Sequence, residues 1–135
     1  MQLTDLIQPG MTNEETFVVE ERQLAPHVGS GALRVLATPW LIAQMEGASH
    51  RLLAKHLPDG YSSVGIHVDM RHLAPTPLGV SVRVQTEVLS VNGWTVEFSV
   101  RAWDSREIIG ECKHERFVID EVRFLKRVAV KSLKG

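Results

Sequence analysis

The chain has 135 residues, 44% of them hydrophobic, which is enough for one globular domain that buries about two thirds of its unfolded surface. Its 15 basic and 16 acidic residues give a formal charge of −1, so the overall charge favours neither a nucleic acid nor an anionic membrane as a partner. The lone cysteine excludes an internal disulfide, no apolar run approaches the about 20 residues that cross a bilayer, and the N-terminus lacks a signal-peptide pattern, so we expect a soluble, cytoplasmic, single domain over residues 1–135.

The first predicted elements are a strand and a long helix. Residues 16–24, TFVVEERQL, are rich in β-branched and aromatic side chains and predict a strand. The stretch ATPWLIAQMEGASHRLLAKHL then predicts the one long helix, with the turn sequence 58–60 at its end. Thr38 followed by Pro39 is typical of a helix start, because the threonine hydroxyl can cap free N–H groups and proline fits the first helical position.

One carboxylate is out of place on this helix. At about 100° per residue the apolar side chains form one broad arc, made of Leu41, Ile42, Met45, Ala48, Leu52, Leu53 and Leu57. Glu46 falls inside that arc. A carboxylate in an apolar setting indicates a group that is paired or used in chemistry.

After the helix the apolar pattern changes to the period of a strand. Residues 64–74 alternate so that His72 shares the apolar face with Val64 and Ile66, and residues 80–91 continue the alternation up to an Asn-Gly hairpin turn at 92–93. Residues 94–103 return from the turn, and residues 107–119 predict a last strand whose apolar phase slips, as a bulge would cause. The order predicts an α+β domain in which a curved antiparallel sheet wraps the helix.

The stretches LATPWLIAQMEG, VGIHVDMRHLAPTPLG and GECKHERFVI resemble hot-dog acyl-CoA thioesterases, in particular the fluoroacetyl-CoA thioesterase-like group. The resemblance spans about residues 8–120, which leaves residues 121–135 as a basic C-terminal tail. It depends on a combination: a Thr at the helix start, a Glu two turns on, a Gly on the next strand, a His before a Pro-rich break, and a late His-Glu-Arg.

The resemblance implies a hot-dog fold and a role for each of these positions. Thr38, Glu46 and His72 are the implied catalytic group, and Gly65 and Arg116 the implied substrate-binding residues. It also implies an acyl-CoA substrate, no cofactor, and a homodimer with its helices facing one another and its active sites at the subunit boundary. Such dimers can pair into tetramers.

The chemistry of thioester hydrolysis needs these residue types. It requires a nucleophile or an activated water, a proton acceptor, and donors for the oxyanion. Glu46 can accept a proton from Thr38 or from water, His72 can orient the nucleophile, and the backbone at Gly65 can donate to the oxyanion because it lacks a Cβ. Thr38 and Glu46, however, lie about 12 Å apart along a continuous helix. Either the threonine lies on a loop that folds back, or substrate and water fill the gap, or the second subunit supplies one of the two residues, and we favour this last, composite site.

Each residue also has a structural interpretation. Thr38 can be a helix cap, Glu46 a carboxylate that reaches solvent, and His72 a hydrogen-bonded residue at a strand end. Gly65 can mark a bulge, and Arg116 can form an ion pair with Glu115 or with a carboxylate on a neighbouring strand.

Three further groups of residues show weaker patterns. His67 and His72 point to opposite faces of one strand, so we expect no metal site. Cys112 and His114 share a strand face and could form a thiol site, although a buried cysteine is more often inert. The basic tail can contact the phosphates of coenzyme A or remain solvated; its cations are Arg123, Lys126, Arg127, Lys131 and Lys134.

One departure from the group concerns the acyl substrate. The fluoroacetyl-specific relative carries aromatic residues ahead of the catalytic threonine, whereas this chain has VGSGALRVLA. We therefore expect a different or longer acyl group. Two other functions stay open: a non-catalytic acyl-CoA or acyl-carrier binding module, and a hot-dog hydratase or dehydratase, for which Asp69 and His72 are poorly placed because they point to opposite strand faces.

Overall fold

One long helix and five strands make up most of residues 1–132, the part of the chain that the computed structural model describes. The strands are β1 Thr12–Val18, β2 Tyr61–His72, β3 Ser81–Asn92, β4 Thr95–Trp103 and β5 Ile108–Asp120. The helices are α1 Ala25–Val28, α2 Thr38–Ala54 and α3 Glu121–Ser132. None of the helices within residues 1–132 combines the length and the apolar composition that crossing a membrane requires.

The strands form a single antiparallel sheet that curls around α2. Their order is β1-β3-β4-β5-β2, so β1 and β2 are the edges. Helix α2 contacts all five strands, and because strands lie about 4.8 Å apart, a helix about 10 Å wide reaches all of them only if the sheet is curved. The predicted apolar arc is largely correct, with Leu41, Met45, Ala48, Leu52 and Leu53 buried. The predicted α+β architecture is confirmed.

Buried and half-buried polar contacts set the position of α2 on the sheet. Ser49 Oγ on the helix lies 2.8 Å from Thr86 Oγ1 on β3, and both residues are fully buried. Asn13 on β1 donates from Nδ2 to the Ala48 carbonyl at 3.0 Å. Arg51 and Glu15 form a bidentate pair with both distances at 2.7 Å. Because each buried polar group needs its partner, these contacts disfavour a shift of the helix along the sheet.

The first strand lies earlier than predicted. It covers Thr12–Val18, and residues 21–23 form a 3₁₀ turn instead of extending the strand. The Glu20 N–H donates to Gln23 Oε1 at 2.8 Å, and the Glu20 side chain accepts from the Gln23 backbone. Polar side chains that satisfy the nearby backbone in this way compete with strand pairing. The predicted hairpin is confirmed, since Asn92 pairs with Thr95 around Gly93, whose φ is +63°.

A bulge in β2 changes the faces of that strand. The register with β5 shifts between Gly65 and His67, which leaves Ile66 unpaired. Gly65 pairs with Arg116 and His72 pairs with Gly110, and the side chains of β5 at even positions from 110 to 118 face the core. Gly65 and His72 therefore both face inward. The prediction that Val64 and Ile66 share the face of His72 is wrong, since Val64 pairs with the outward Phe117 and Ile66 is 54% exposed.

The predicted slip in the last strand, between Ile108/Cys112 and Phe117/Ile119, is wrong, and the register shift that the strand does have lies earlier. The register between β4 and β5 shifts by one residue at Ile109. Beyond that point the inward face continues through Cys112, His114, Arg116 and Val118, while Phe117 is 40% exposed. The sequence pattern was misleading because two polar residues, His114 and Arg116, occupy inward positions.

The C-terminal segment is helical where a tail was expected. Helix α3 follows β5 directly, and Glu121 donates its backbone N–H to the Gly60 carbonyl at 2.9 Å. The described length of α3, Glu121–Ser132, has no buried residue. Lys134, one of the basic residues expected in the tail, lies outside the described residues.

Candidate active site

Thr38 and His72 form a hydrogen-bonded pair. Thr38 is the first residue of α2 and His72 the last residue of β2. The distance from Thr38 Oγ1 to His72 Nδ1 is 2.8 Å. The residue that caps α2 is Ala37, and it forms no side-chain capping bond, so the structural interpretation of Thr38 as a helix cap is wrong. Its hydroxyl is directed to the histidine instead.

The Pro-rich segment after β2 holds this pair together. The Leu73 N–H donates to the Ile109 carbonyl at 2.7 Å, and the Leu36 N–H donates to the Thr76 carbonyl at 2.8 Å. Thr76 is fully buried and its hydroxyl donates to Asp104 at 3.1 Å. The strand end that carries His72 is thus tied to the residues that lead into α2, which places Thr38 beside the imidazole.

The imidazole of His72 lies half-buried beside an open cleft. Burial lowers the pKa of His72, and the nearby Ala74 backbone offsets part of this effect. The Ala74 backbone does not reach hydrogen-bonding geometry, since Nε2 is buried without a partner among residues 1–132. Thr38 itself is exposed, at a cleft of about 310 Å³ whose lining includes Val35, Thr38, His72 and Pro75. A neutral imidazole therefore stands beside an accessible hydroxyl.

A second polar cluster surrounds Glu46. The side chain of Arg116 is only 8% exposed, and its Nη1 lies 3.9 Å from Glu46 Oε2. Arg116 also donates from Nε to Ser63 Oγ at 2.8 Å and from Nη2 to the Ser63 carbonyl at 3.0 Å. The expected ion pair of Arg116 is thus with the helix carboxylate and not with Glu115. Burial lowers the pKa of Arg116, and the charge of Glu46 opposes that shift.

His114 completes the second cluster as a neutral residue. Its Nδ1 lies 2.8 Å from the His67 carbonyl, and its Nε2 lies 3.2 Å from Arg116 Nη1. A carbonyl only accepts and a guanidinium only donates, so the proton of His114 is on Nδ1. Burial is the main cause that lowers the pKa of His114, in agreement with this neutral form.

Gly65 leaves room for the Glu46 carboxylate. A Cβ at this position would lie 2.6 Å from Glu46 Oε2, 3.3 Å from His114 Cε1 and 3.4 Å from Arg116 Nη1. Real contacts of a Cβ are essentially never as short as the first of these. The close approach of the carboxylate to the β2 backbone therefore requires glycine.

Within one chain the structure does not bring the two clusters together. Thr38 and His72 are in contact, and so are Glu46, Gly65 and Arg116, but Glu46 is not part of the described lining of the Thr38 cleft. Thr38 and Glu46 are separated by about 12 Å along α2. Gly65 and His72 are separated by about 20 Å along β2.

Ser63 and His114 belong to the second cluster, and sequence reasoning did not assign them to it. The spacing of His114 and Arg116, which puts both on one strand face, was the available signal. Cys112, on the same face, is buried, and burial raises the pKa of its thiol to about 11. Such a thiol is not activated as a nucleophile.

The outward residues of β2 do not complete a second kind of catalytic pair. His67 and Asp69 pair with Glu115 and Lys113 and face away from the core, opposite to His72. An Asp69–His72 pair, which a hydratase would need, is therefore not formed. Among residues 1–132, no group of three or more His, Cys, Asp or Glu side chains is arranged to hold a metal.

Comparisons with known proteins agree with this architecture and with the sequence resemblance. The family described as fluoroacetyl-CoA-specific thioesterase, FlK, matches residues 19–122. The fluoroacetyl-CoA thioesterase of Streptantibioticus cattleyicolor is 37% identical over 101 residues, which are 75% of this chain and 73% of that protein. A solved structure of the fluoroacetyl-CoA thioesterase FlK aligns with a TM-score of 0.88 and 31% identity, over 93% of this chain and 97% of that one.

A more distant structure supports the fold alone. The crystal structure of a hot-dog-like protein from Thermanaerovibrio acidaminovorans is 24% identical and aligns with a TM-score of 0.90 over 97% of each chain. The predicted hot-dog fold and the predicted class of enzyme, a thioester hydrolase, are therefore confirmed. With the family match covering most of its length, the chain belongs to the fluoroacetyl-CoA-specific thioesterase family.

Proposed function

We propose that the protein hydrolyses an acyl-CoA thioester as a homodimer, in sites that each combine Thr38 and His72 of one subunit with Glu46 of the partner subunit. The observation that supports this proposal most strongly is the position of the two polar clusters. They lie near opposite ends of the same edge strand, β2, and both face the core side of the sheet. A two-fold axis through the middle of that edge would bring the Thr38–His72 pair of each subunit next to the Glu46 cluster of its partner.

The exposed edge of β2 is suited to such pairing. Among residues 1–132 no strand lies along one side of its backbone, and Ile66 and Val68 expose 54% and 37% of their surfaces. An unpaired edge with apolar side chains favours association with another strand. Antiparallel pairing of two β2 strands about Asp69 would set Gly65 opposite His72 of the partner subunit, because the bulge at Ile66 keeps inward residues opposite inward residues. Lys113, which pairs with Asp69, supplies the opposite charge where the two Asp69 side chains meet.

The assembled site contains each group that the reaction needs. Glu46 of the partner subunit accepts a proton from the Thr38 hydroxyl or from a water held by it, and the resulting oxygen attacks the thioester carbon. The backbone N–H at Gly65 donates to the oxyanion, and one such donor typically contributes about 10²–10³ in rate. Glu46 then returns the proton to the coenzyme A sulfur as the carbon–sulfur bond breaks. If Thr38 is the attacking group, a water that Glu46 deprotonates next cleaves the acyl ester on Thr38 and releases the free acid. Water is the only co-reactant, so the proposal includes no cofactor.

The hydrogen bond of His72 supports an orienting role for the imidazole. In this proposal the proton of the neutral imidazole is on Nδ1, and Nε2, which is buried without a partner among residues 1–132, is left as an acceptor. Nδ1–H then donates to Thr38 Oγ1. The Thr38 hydroxyl proton remains free for Glu46, and the imidazole N–H stabilises the charge that develops on the threonine oxygen.

Arg116 acts in this proposal through Glu46. At least three of its N–H groups are used on Ser63 and His114, which supports a role in positioning the carboxylate. The substrate contact that the family resemblance implies for Arg116 stays a prediction.

The acyl group is left unassigned. The relative is named for fluoroacetyl-CoA, but residues 29–34 of this chain, ahead of Thr38, form an exposed segment without an aromatic side chain. An open approach to the cleft suits a different or longer acyl group. The cytoplasmic location also stays a prediction, supported by the unpaired Cys112 and by the coenzyme A substrate class.

The proposal is tested by free-thiol release from a panel of acyl-CoA esters. We expect wild-type activity with at least one ester and a loss of about 10²-fold or more in Thr38→Val and in Glu46→Gln. Glu107→Gln, a change of the same kind at an exposed turn, should keep wild-type activity. Binding without thiol release, or hydration of an enoyl-CoA without it, would contradict the proposal.

Mixing the two inactive variants tests whether the site is shared between subunits. In a heterodimer of Thr38→Val and Glu46→Gln, one site has both mutations and the other has neither if the site is shared. Random re-association makes half of the dimers heterodimers, so about a quarter of wild-type activity should return. If each site were built within one subunit, every site would carry a mutation and the mixture would stay inactive.

A further inference from the structure

Helix α3 carries an apolar face that the rest of residues 1–132 does not cover. Val122, Leu125 and Val128 expose 63%, 61% and 48% of their surfaces. At about 100° per residue, most apolar side chains of α3 fall on one side and the basic ones on the other, where Val130, 58% exposed, lies among them. The apolar face consists of Val122, Phe124, Leu125, Val128 and Ala129, and the basic face of Arg123, Lys126, Arg127 and Lys131. A helix of this kind is stable as part of a larger assembly that covers its apolar face.

Other exposed apolar side chains lie on the segments that flank the cleft of Thr38 and His72. Leu73 and Leu78, on the segment between β2 and β3, are 47% and 48% exposed. Leu33, on the segment ahead of α2, is 75% exposed. Leu73 also lines the cleft itself. Leu73 therefore brings an exposed apolar side chain to the cleft, and Leu78 follows it on the same segment.

These two sets of apolar side chains cannot meet within one subunit. Helix α3 begins beside the start of β2, where Asp120 pairs with Tyr61. The cleft lies at the other end of that strand, beyond His72, at a distance of about 36 Å along β2. Helix α3 has 12 described residues, which extend about 18 Å.

The proposed dimer removes this obstacle. Within one subunit, β5 runs antiparallel to β2. In the proposed dimer this β2 runs antiparallel to the β2 of the partner subunit, so β5 would run parallel to the partner's β2. The two are two strand spacings apart, about 10 Å, which is also the distance at which helices pack against neighbours. Helix α3 and the partner's segment 73–78 would therefore leave the sheet at the same end and side by side.

We infer that the apolar face of α3 packs against segment 73–78 of the partner subunit and forms the outer wall of the partner's Thr38–His72 cleft. This inference depends on the dimer of the proposed function. It gives each site a third contribution from across the boundary and leaves the basic face of α3 toward solvent at the cleft mouth.

Charge favours a second copy of the chain over a membrane surface as the occupant. Residues 1–120 carry 10 basic and 15 acidic side chains, a formal charge of −5, whereas α3 carries four basic side chains and one acidic one. An anionic lipid surface would attract α3 and repel the rest of the domain. Residues 1–120 of a partner subunit, with a formal charge of −5, attract the basic helix without such repulsion.

Cross-linking between marked subunits tests the inference. Leu125→Cys in one subunit and Leu78→Cys in the other are co-expressed with different tags, purified as a heterodimer and treated with a short bis-maleimide. The native thiol does not compete, because Cys112 is buried and burial raises its pKa to about 11. We expect a covalent heterodimer at least ten times more abundant than with Arg127→Cys, the matched control on the opposite face of α3.

Each other outcome has a defined meaning. A dimer by light scattering that shows no cross-link, or links Arg127→Cys equally well, overturns the inference and leaves the proposed function standing. A link inside one chain of the Leu125→Cys/Leu78→Cys double variant also overturns it. A monomeric wild type removes the proposed dimer and the inference with it. Pelleting with anionic vesicles that Leu125→Glu abolishes, without any cross-link, overturns the inference and assigns the apolar face to a membrane.

Discussion

Replacement of Gly65 by alanine is the sharpest test of the carboxylate cluster. The new Cβ would lie 2.6 Å from Glu46 Oε2, and ordinary contact begins at 3.4 Å, so the carboxylate must retreat by about 0.8 Å. Its side chain is 39% exposed and free to move outward, while His114 and Arg116, at 3.3 and 3.4 Å, also crowd the methyl group. The methyl group therefore displaces the proposed base and leaves the core intact.

The magnitude follows from the geometry of proton transfer. A misplacement of about 1 Å costs about 10²-fold in rate, equivalent to about 2.7 kcal/mol of transition-state stabilisation. We expect Gly65→Ala to lower kcat by about that factor with the same acyl-CoA ester that the wild type hydrolyses best. The free energy of unfolding in urea should change by less than about 1 kcal/mol, because alanine is compatible with a strand.

Gly47→Ala is the matched control. It adds a methyl group one residue from Glu46, but its Cβ meets Arg51 Nη2 at 2.5 Å, so the 51% exposed Arg51 side chain must shift and loosen its bond to Glu15 while Glu46 keeps its place. Its kcat should stay within about twofold of the wild type, since alanine also favours a helix. Wild-type kcat in Gly65→Ala, with the variant folded, would refute the reasoning that the position of the Glu46 carboxylate sets the rate.

Three further predictions concern the remaining groups. Thr38→Val should abolish activity and lower the free energy of unfolding in urea by no more than about 1 kcal/mol, the typical net contribution of one hydrogen bond such as that to His72; a much larger loss would show that Thr38 has a structural role beyond this bond. Arg116→Met should destabilise the fold by about 2–4 kcal/mol in urea, since the Ser63 and His114 acceptors lose their donor; Arg116→Lys should recover only part of this loss, and full recovery would contradict the fork geometry. Burial lowers the pKa of His50, His72 and His114, so the unfolded chain binds more protons than the folded one. The free energy of unfolding should therefore fall as the pH drops below about 6.5 toward the lowered pKa values. His114→Gln should make the urea midpoint depend less on pH between pH 7 and 5, and an unchanged slope would show that His114 does not contribute.

The long helix and its apolar arc illustrate what local pattern predicts well. Leu41, Met45 and Leu52 are buried where the helical period places them, because one face of an amphipathic helix must pack on the sheet. The Asn92-Gly93 turn is likewise local, since the glycine supplies the positive φ that the hairpin needs. The helical period also predicted the position of Glu46 inside that arc, and this position indicated a carboxylate that has a partner.

The chain by itself therefore determined the kinds of elements, their order, and the residue types available for hydrolysis. The tertiary structure alone decided that Thr38 bonds His72 rather than the helix end, and that Arg116 meets Glu46 and Ser63. It also decided that the bulge at Ile66 turns Gly65 and His72 to the same face. The physical reason is that a one-residue bulge inverts every later side chain of a strand, and its position depends on pairing with a distant strand that sequence periodicity does not reveal.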